Sequence, residues 1–214
     1  MKCSPCKNDR LNQKRRQAFT LIEMIGVLAV IAILAALLVP KVFSAINDAR
    51  VNGLCVTCET LKTAVADHYG KYGRLDATFG TNALTFPSGI HTGYDKDVLM
   101  AEGLLDKPFA AKIAGGDPST NAVLRLVQGS SGVFGAPGGI GYRLDGTNNA
   151  TGAASFVIEA VIGNVTLADA KDLNDRLDGT ALGSPTPPDN AGRVEYGTAD
   201  ANGLYTVYIY LTHR

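Results

Sequence analysis

The sequence predicts an α+β protein: one long N-terminal helix whose first half crosses a membrane, and a C-terminal head built round an antiparallel β-sheet against which the second half of that helix packs. Three observations carry this reading. The run from Phe19 to Val39 is apolar apart from a single ionisable side chain, a helical stripe of apolar residues continues from it to Tyr72, and the C-terminal part holds four strand-like runs bounded by turn formers.

The composition suits that plan. The chain has 214 residues, 46% of them hydrophobic, with 20 basic and 20 acidic side chains. Such a balance fits a folded protein and argues against a disordered or nucleic-acid-coating one. No basic stripe runs through the later sequence, so no nucleic-acid partner is expected. The first fifth differs so strongly from the remainder that an anchor and a head are expected rather than one globule.

Residues 1–18, MKCSPCKNDRLNQKRRQA, form a short basic leader: Lys2, Lys7, Arg10, Lys14, Arg15 and Arg16 stand against Asp9 alone. A leader of this charge stays cytoplasmic. The run FTLIEMIGVLAVIAILAALLV that follows has Glu23 as its one ionisable side chain and is long enough, at about 1.5 Å per residue, to span the hydrocarbon. An ordinary secretory signal would place a shorter apolar stretch before a small-residue cleavage site. In this chain Gln17 and Ala18 precede the run, while Val39, Pro40 and Lys41 after it offer no small-x-small pattern, so the anchor is expected to persist in the mature protein.

The stretch QAFTLIEMIGVLAVIAILAALLVPKV resembles the N-terminus of type IV pilins and type II secretion pseudopilins. Shared features are the phenylalanine start, the glutamate four residues later and the proline near the end, and the likeness covers roughly residues 14–45. The resemblance implies that a membrane-embedded prepilin peptidase cuts between Ala18 and Phe19 and methylates the new amine of Phe19. It further implies an assembly ATPase acting through an inner-membrane platform protein, and sister subunits in a filament (a fimbrium). One departure is that the family usually has glycine before the cut, where this chain has alanine, the next smallest residue.

Glu23 has a physical reading beside the family one. A carboxylate at mid-bilayer costs on the order of 2.5 to 3.5 kcal/mol, and less near an end. After cleavage the free amine of Phe19, with an ordinary pKa of about 8, lies one helical turn away and can neutralise it. In the family reading the pair forms between subunits and sets the axial register of two otherwise featureless helices. The alternative is that Glu23 sits at the interface and snorkels to water.

Pro40 removes an amide donor and frees the Ala36 carbonyl, so a kink or local unwinding is expected there. By resemblance, Gly26 and Pro40 are the points at which packed subunits loosen. Beyond it Leu54, Cys58, Leu61, Val65, His68 or Tyr69, and Tyr72 recur at steps of four and three along one face, with Asp48, Arg50, Asn52, Glu59, Lys62 and Asp67 opposite. Gly73 is the expected stop. A helix from Phe19 to about Tyr72 would be roughly 80 Å long. The expected organisation is a cleaved leader at 1–18, a transmembrane and filament-core helix at 19–40, a helix packing on the head at 41–73, and a head at 74–214.

In the head, residues 74–120 read as a connection carrying one short helix in DKDVLMAEGLLDKPF, with Val98, Leu99, Ala101, Leu104 and Leu105 turned to the long helix. Strands are expected at 122–128, 154–163, 192–197 and 203–211, the last two joined through the turn signal Ala201, Asn202, Gly203. Between the second and third strands TLADAKDLNDRLDG has Thr166 as N-cap, Asp169 in place of the capping-box Glu and Gly179 as stop. With the long helix these elements make the head plan of a pilin by analogy.

Several constellations carry little chemistry. Cys3 and Cys6 lie in the leader. Cys55 and Cys58 would face an oxidising compartment, and the ranking there is reduced core residues first, a local disulfide strained by helical geometry second, and a redox or metal site last. Neither haem attachment nor a four-cysteine zinc site fits. His68, His91 and His213 lack metal-ligand spacing and read as core-edge or surface residues. Asp145, Asn148 and Asn149, and Asp189, Asn190, Asp200 and Asn202, bear only a loose likeness to the calcium loops of major pseudopilins, and solvated turns are the simpler reading. GAPGGIG at 135–141 has no following lysine or helix and reads as a turn. No metal, cofactor or catalytic group is expected.

Three functions remain from the sequence. The leading one is a structural, non-enzymatic subunit of a type IV pilus or pseudopilus, held in the inner membrane with its head in the periplasm before it enters the filament. The second is a minor or tip subunit, disfavoured by the presence of Glu23, which one tip pseudopilin class lacks. The third is a membrane-tethered periplasmic binding protein or enzyme, disfavoured by the leader ahead of the apolar run and the absence of a catalytic cluster.

Overall fold

Helix propensity and an uninterrupted apolar pattern give a single helix α1 over Leu21–Tyr72, 52 residues long. The computed structural model of the chain describes residues 19–77, 84, 89–113, 120–128, 141–146, 155–184 and 186–214. Two compact units divide it, residues 1–45 and 46–214. Helical backbone runs unbroken through Pro40, although the Ala36 carbonyl loses its i+4 donor there. The C-terminal end is set by Gly73, whose positive φ of 70° lets its N–H donate to the Tyr69 carbonyl at 2.8 Å. That left-handed cap is open to glycine at no steric cost.

Within the second unit, Val51, Leu54, Cys58, Leu61, Ala64, Val65 and His68 form the buried face of α1. The sheet they join is antiparallel throughout, in the order β1-β2-β3-β5-β4: β1 (Ile90–Thr92), β2 (Ala122–Gln128), β3 (Phe156–Val165), β5 (Tyr205–His213) and β4 (Val194–Tyr196). One sheet face, with Leu124, Leu126, Ile158, Ala160, Ile162, Val207, Ile209 and Leu211, shares a core with the α1 stripe. Burying each large apolar side chain of this kind contributes roughly 1.5 to 3 kcal/mol. The other face carries a smaller cluster of Val127, Tyr142, Val157 and Tyr210, so segment 141–146 covers it in part.

Helix α2 (Leu167–Leu177) begins as its sequence requires: Thr166 is extended, its hydroxyl accepts from the Asp169 N–H at 3.2 Å and donates to Asp169 Oδ2 at 2.9 Å. Gly179 has φ of 77° just past its end. Polar contacts tie α2 to α1 within this unit. Asp169 Oδ1 accepts from Asn47 at 2.6 Å, and Arg176 reaches Asp48 at 2.9 Å and also Asn52.

Sequence and structure part company at several places, β5 among them, which runs two residues later than expected. The short helix expected in residues 95–109 is one π-helical stretch, Asp95–Met100, after which the chain turns; Val98 and Leu99 are buried but Ala101 is exposed. Strand β1 has no counterpart among the expected strands, since three residues beside glycines leave no alternation to read. β3 is displaced two residues toward the C-terminus and β4 is only three residues long. His68 is no edge residue: its ring is fully buried, with Nδ1 2.8 Å from Glu102 Oε1 and Tyr94 edge-on at 5.9 Å between centroids. It sits on the apolar face, where an imidazole needs a polar partner brought from a distant segment.

Candidate functional site

The start of α1 is built by two short-range contacts. Thr20 is the residue before the helix; its hydroxyl accepts from the Glu23 backbone N–H at 3.3 Å, and its carbonyl from Met24 N–H at 3.2 Å. Threonine with glutamate three residues on is the capping-box signature, and it places the Glu23 carboxylate in the first turn, at the positive end of the helix dipole. Thr20 is the residue of this tip that hydropathy and the family resemblance do not single out; the T-x-x-E spacing is the signal that finds it.

From Phe19 to Ile46 every residue is exposed. Leu21 and Ile22 are more than three-quarters exposed, and Leu28, Ile33, Leu34, Leu37 and Leu38 are above 60%. α1 is long and apolar enough to cross a membrane in this part, and that stretch is uncovered among the described residues. Apolar surface on this scale is stable only in lipid or against other proteins. Phe19 and Glu23 therefore stand within one turn at the N-terminal tip of an uncovered apolar helix. A Cβ placed on Gly26 would meet nothing within 4 Å, so its face is open to close approach. Pro40 lies within the same helix, and Ala18, like Cys3 and Cys6, falls outside the described residues.

Residues 13–39 match the family model described as the prokaryotic N-terminal methylation motif. The chain carries a prepilin-type N-terminal segment. With the long helix and the antiparallel sheet, the architecture is α+β and pilin-like. The prepilin-type segment implies peptidase processing and assembly with other pilins in general, suits membrane anchoring, and belongs to a structural rather than enzymatic class. The match ends at Val39 and does not extend into the head. No curated protein and no solved structure matches the chain.

Other residues singled out in the sequence fall in the second unit. Cys55 is half-buried and Cys58 buried, one turn apart on α1, and both are free thiols. Burial pushes Cys58 up to about 12; it raises Cys55 too, against a lowering by the Arg176 charge. Thiols so held are poor nucleophiles at neutral pH. His91 Nε2 lies 3.1 Å from Asp97, and His213 meets the Tyr210 hydroxyl at 2.5 Å. Among the described residues no group of three or more His, Cys, Asp or Glu side chains is arranged to hold a metal ion.

The loop acids considered as calcium ligands are engaged locally where they are described. Asp200 Oδ1 accepts from the N–H groups of Asn202 and Leu204 at 2.8 and 2.9 Å, closing the turn before β5. Asp189, buried, takes Asn174, Ser184 N–H and Ala191 N–H. Asn148, Asn149 and residues 135–140 lie outside the described residues. A feature the sequence does not reveal is the acid row on the outer sheet face. Glu159, fully buried, pairs with Arg125 and accepts from the Tyr142 hydroxyl at 2.5 Å, and Glu195, opposite Tyr208, is buried with Oε1 unpartnered. Burial first, then Glu159 and Asp189, push Glu195 up to about 8.

Proposed function

We propose that the chain is a filament-forming subunit of a type IV pilus or pseudopilus, and that it enters the filament through residues 19–40. The observation that carries this reading is the methylation motif lying on a helix whose apolar surface is left exposed by the described residues. Residues 1–18 are the cytoplasmic leader, removed between Ala18 and Phe19 by a prepilin peptidase that then methylates the Phe19 amine. Residues 41–73 pack on the head, which comprises residues 74–214 and lies in the periplasm before assembly. An assembly ATPase and an inner-membrane platform protein extract the subunit from the bilayer.

Register in this reading comes from charge. The carboxylate of Glu23 in an incoming subunit meets the Phe19 amine of a subunit already in place, and the pair offsets the cost of each charge in apolar surroundings. Capping by Thr20 fixes the turn that presents both groups. Gly26 and Pro40 are the positions at which the helix can loosen on packing. Cys55 and Cys58 serve as small side chains between α1 and the head.

Intact mass with N-terminal fragmentation, on protein from its native membrane or from sheared filaments, tests the processing. A chain beginning at Phe19 with one added methyl group is expected. A chain still beginning at Met1, or cut after Val39, would refute the mechanism and leave a tethered or secreted protein. Glu23→Ala is expected to insert in the membrane normally and to fail in assembly; filaments at wild-type abundance from that variant would sink the register argument.

A further inference from the structure

Along the part of α1 that belongs to the second unit runs a groove of about 420 Å³ whose walls are apolar and whose charges are of one sign. Ile46, Ala49, Gly53 and Leu54 form its α1 wall, at steps of three and four that keep them on one helical face. The small residues at 49 and 53 make the hollow, and a Cβ on Gly53 would meet nothing within 4 Å. Segment 109–113 forms the other wall, and its burial alternates. Phe109, Ala111 and Ile113 enter the core, with the Phe109 N–H donating to Asp95 Oδ2 at 2.7 Å, while Ala110 and Lys112 are exposed and line the groove.

Two cations stand on this groove without a counter-charge. Arg50 and Lys112 are both exposed, and among the described residues neither forms an ion pair and no carboxylate lines the groove. The hydroxyl on the lining, that of Thr57, already donates to the Gly53 carbonyl at 2.8 Å. A wholly polar anion would meet two charges and otherwise apolar walls; a molecule with one anionic group and a hydrocarbon part finds a match for each.

We propose that this groove holds an acidic phospholipid, its phosphate answering the charges of Arg50 and Lys112 and the start of an acyl chain lying on Ile46, Ala49, Gly53 and Leu54. The proposal rests on the membrane-anchored reading of residues 19–40 and adds to it a lipid contact on the head. Ile46 follows Val39 by seven residues, so chain length alone keeps the first residue of the groove within about 25 Å of the end of the apolar run. A lipid also asks nothing of the backbone. An extended peptide in the same place would bring N–H and carbonyl groups that a helix, its own bonded internally, does not serve.

The test is native mass spectrometry of the full chain released from dodecyl-maltoside micelles that carry equal amounts of dioleoyl phosphatidylglycerol and dioleoyl phosphatidylcholine. The acidic lipid is expected to be retained over the neutral one. Arg50→Gln and Lys112→Gln each change an exposed side chain, so both should fold as the parent does and weaken the acidic lipid by about five-fold. Gly53→Leu puts a better helix former into the hollow and should weaken the lipid with both cations intact. Lys41→Gln, which removes a cation beside the apolar run but outside the groove, should leave retention unchanged, and inorganic phosphate in excess should not displace the lipid. No preference for the acidic lipid, an equal loss in Lys41→Gln, or displacement by phosphate would overturn the proposal. Unchanged retention in the groove variants together with a lowered filament yield would overturn it as well and make the groove a contact between subunits. Recovery of the chain with the micelles reports the anchoring separately, and the dispersed subunit gives the lipid readout whether or not the chain assembles.

Discussion

Replacing Glu195 by glutamine should make the head more stable, and by an amount that grows with pH. Glu195 is 2% exposed on the three-residue strand β4; its carboxyl receives the Arg143 backbone N–H, and its Oε1 has no partner. Burial is the main reason that its pKa rises to about 8 from 4.5, with Glu159 and Asp189 adding repulsion. Between these two values the folded state holds a proton that the unfolded state has lost, so stability falls as pH rises, by about 1.4 kcal/mol per pH unit. From pH 5 to pH 7.5 the loss sums to about 3 kcal/mol.

Glutamine keeps the shape and the acceptor for Arg143 but cannot ionise. At pH 5 the Glu195→Gln variant should lead the parent by just under about 1 kcal/mol, and by pH 7.5 the lead should have grown by about 3 kcal/mol. The assay is urea unfolding of the detergent-solubilised chain, followed by tyrosine fluorescence, since the sequence has eight tyrosines and no tryptophan. Taking the difference between the two proteins at each pH cancels titrations common to both. A difference constant within about 0.5 kcal/mol from pH 5 to 7.5 would refute the reasoning, because Glu195 would then have to be as well solvated in the fold as in the unfolded chain.

Two further outcomes follow from the head. Cys58, pushed up to about 12 by burial, should resist iodoacetamide at pH 8 in the folded chain and react only on unfolding, with Cys55 reacting first; mass spectrometry of timed aliquots reads the order, and equal rates would contradict the burial. Asp178 Oδ2 accepts the N–H groups of Arg193 and Val194 at 2.7 and 2.8 Å, so Asp178→Ala should cost about 2 kcal/mol by leaving both donors bare, measured by the same unfolding assay; a cost below about 0.5 kcal/mol would show that water replaces it.

The parts of the fold that follow from local rules are legible in the sequence. The α1 stripe, its glycine stop, the Thr166 cap with Asp169 and Gly179, and the whole of β2 rest on spacing alone, and the structure places each where the pattern puts it. What stays hidden depends on partners distant in sequence. His68 reads as an edge residue until Glu102 is brought to it, and β1 exists because β2 pairs with it rather than because Ile90–Thr92 has strand character of its own. The prepilin-type segment is the most legible of all, because its helix must satisfy lipid and its charges are few. Glu159 and Glu195 do leave a trace, each a lone acid between apolar neighbours on a strand, but alternation alone puts such a residue on a solvated face.

Four aspartates of the head have a common physical role. Long connections leave backbone N–H groups that no ladder satisfies, and in this head carboxylates take them: Asp95 accepts Phe109 N–H, Asp178 accepts Arg193 and Val194, Asp189 accepts Ser184 and Ala191, and Asp200 accepts Asn202 and Leu204. Glu159 is matched instead by Arg125 and Tyr142. Each of these five acids has donors placed on it, so burial does not by itself mark it as a reactive acid or base. Glu195 departs from the pattern, with one backbone donor and one bare oxygen, and it is the acid pushed furthest toward its neutral form. Raising the pH through 8 charges it against Glu159 and Asp189 at the short edge strand, so β4 and the turn it closes with Asp189 should be the first part of the sheet to exchange its amides.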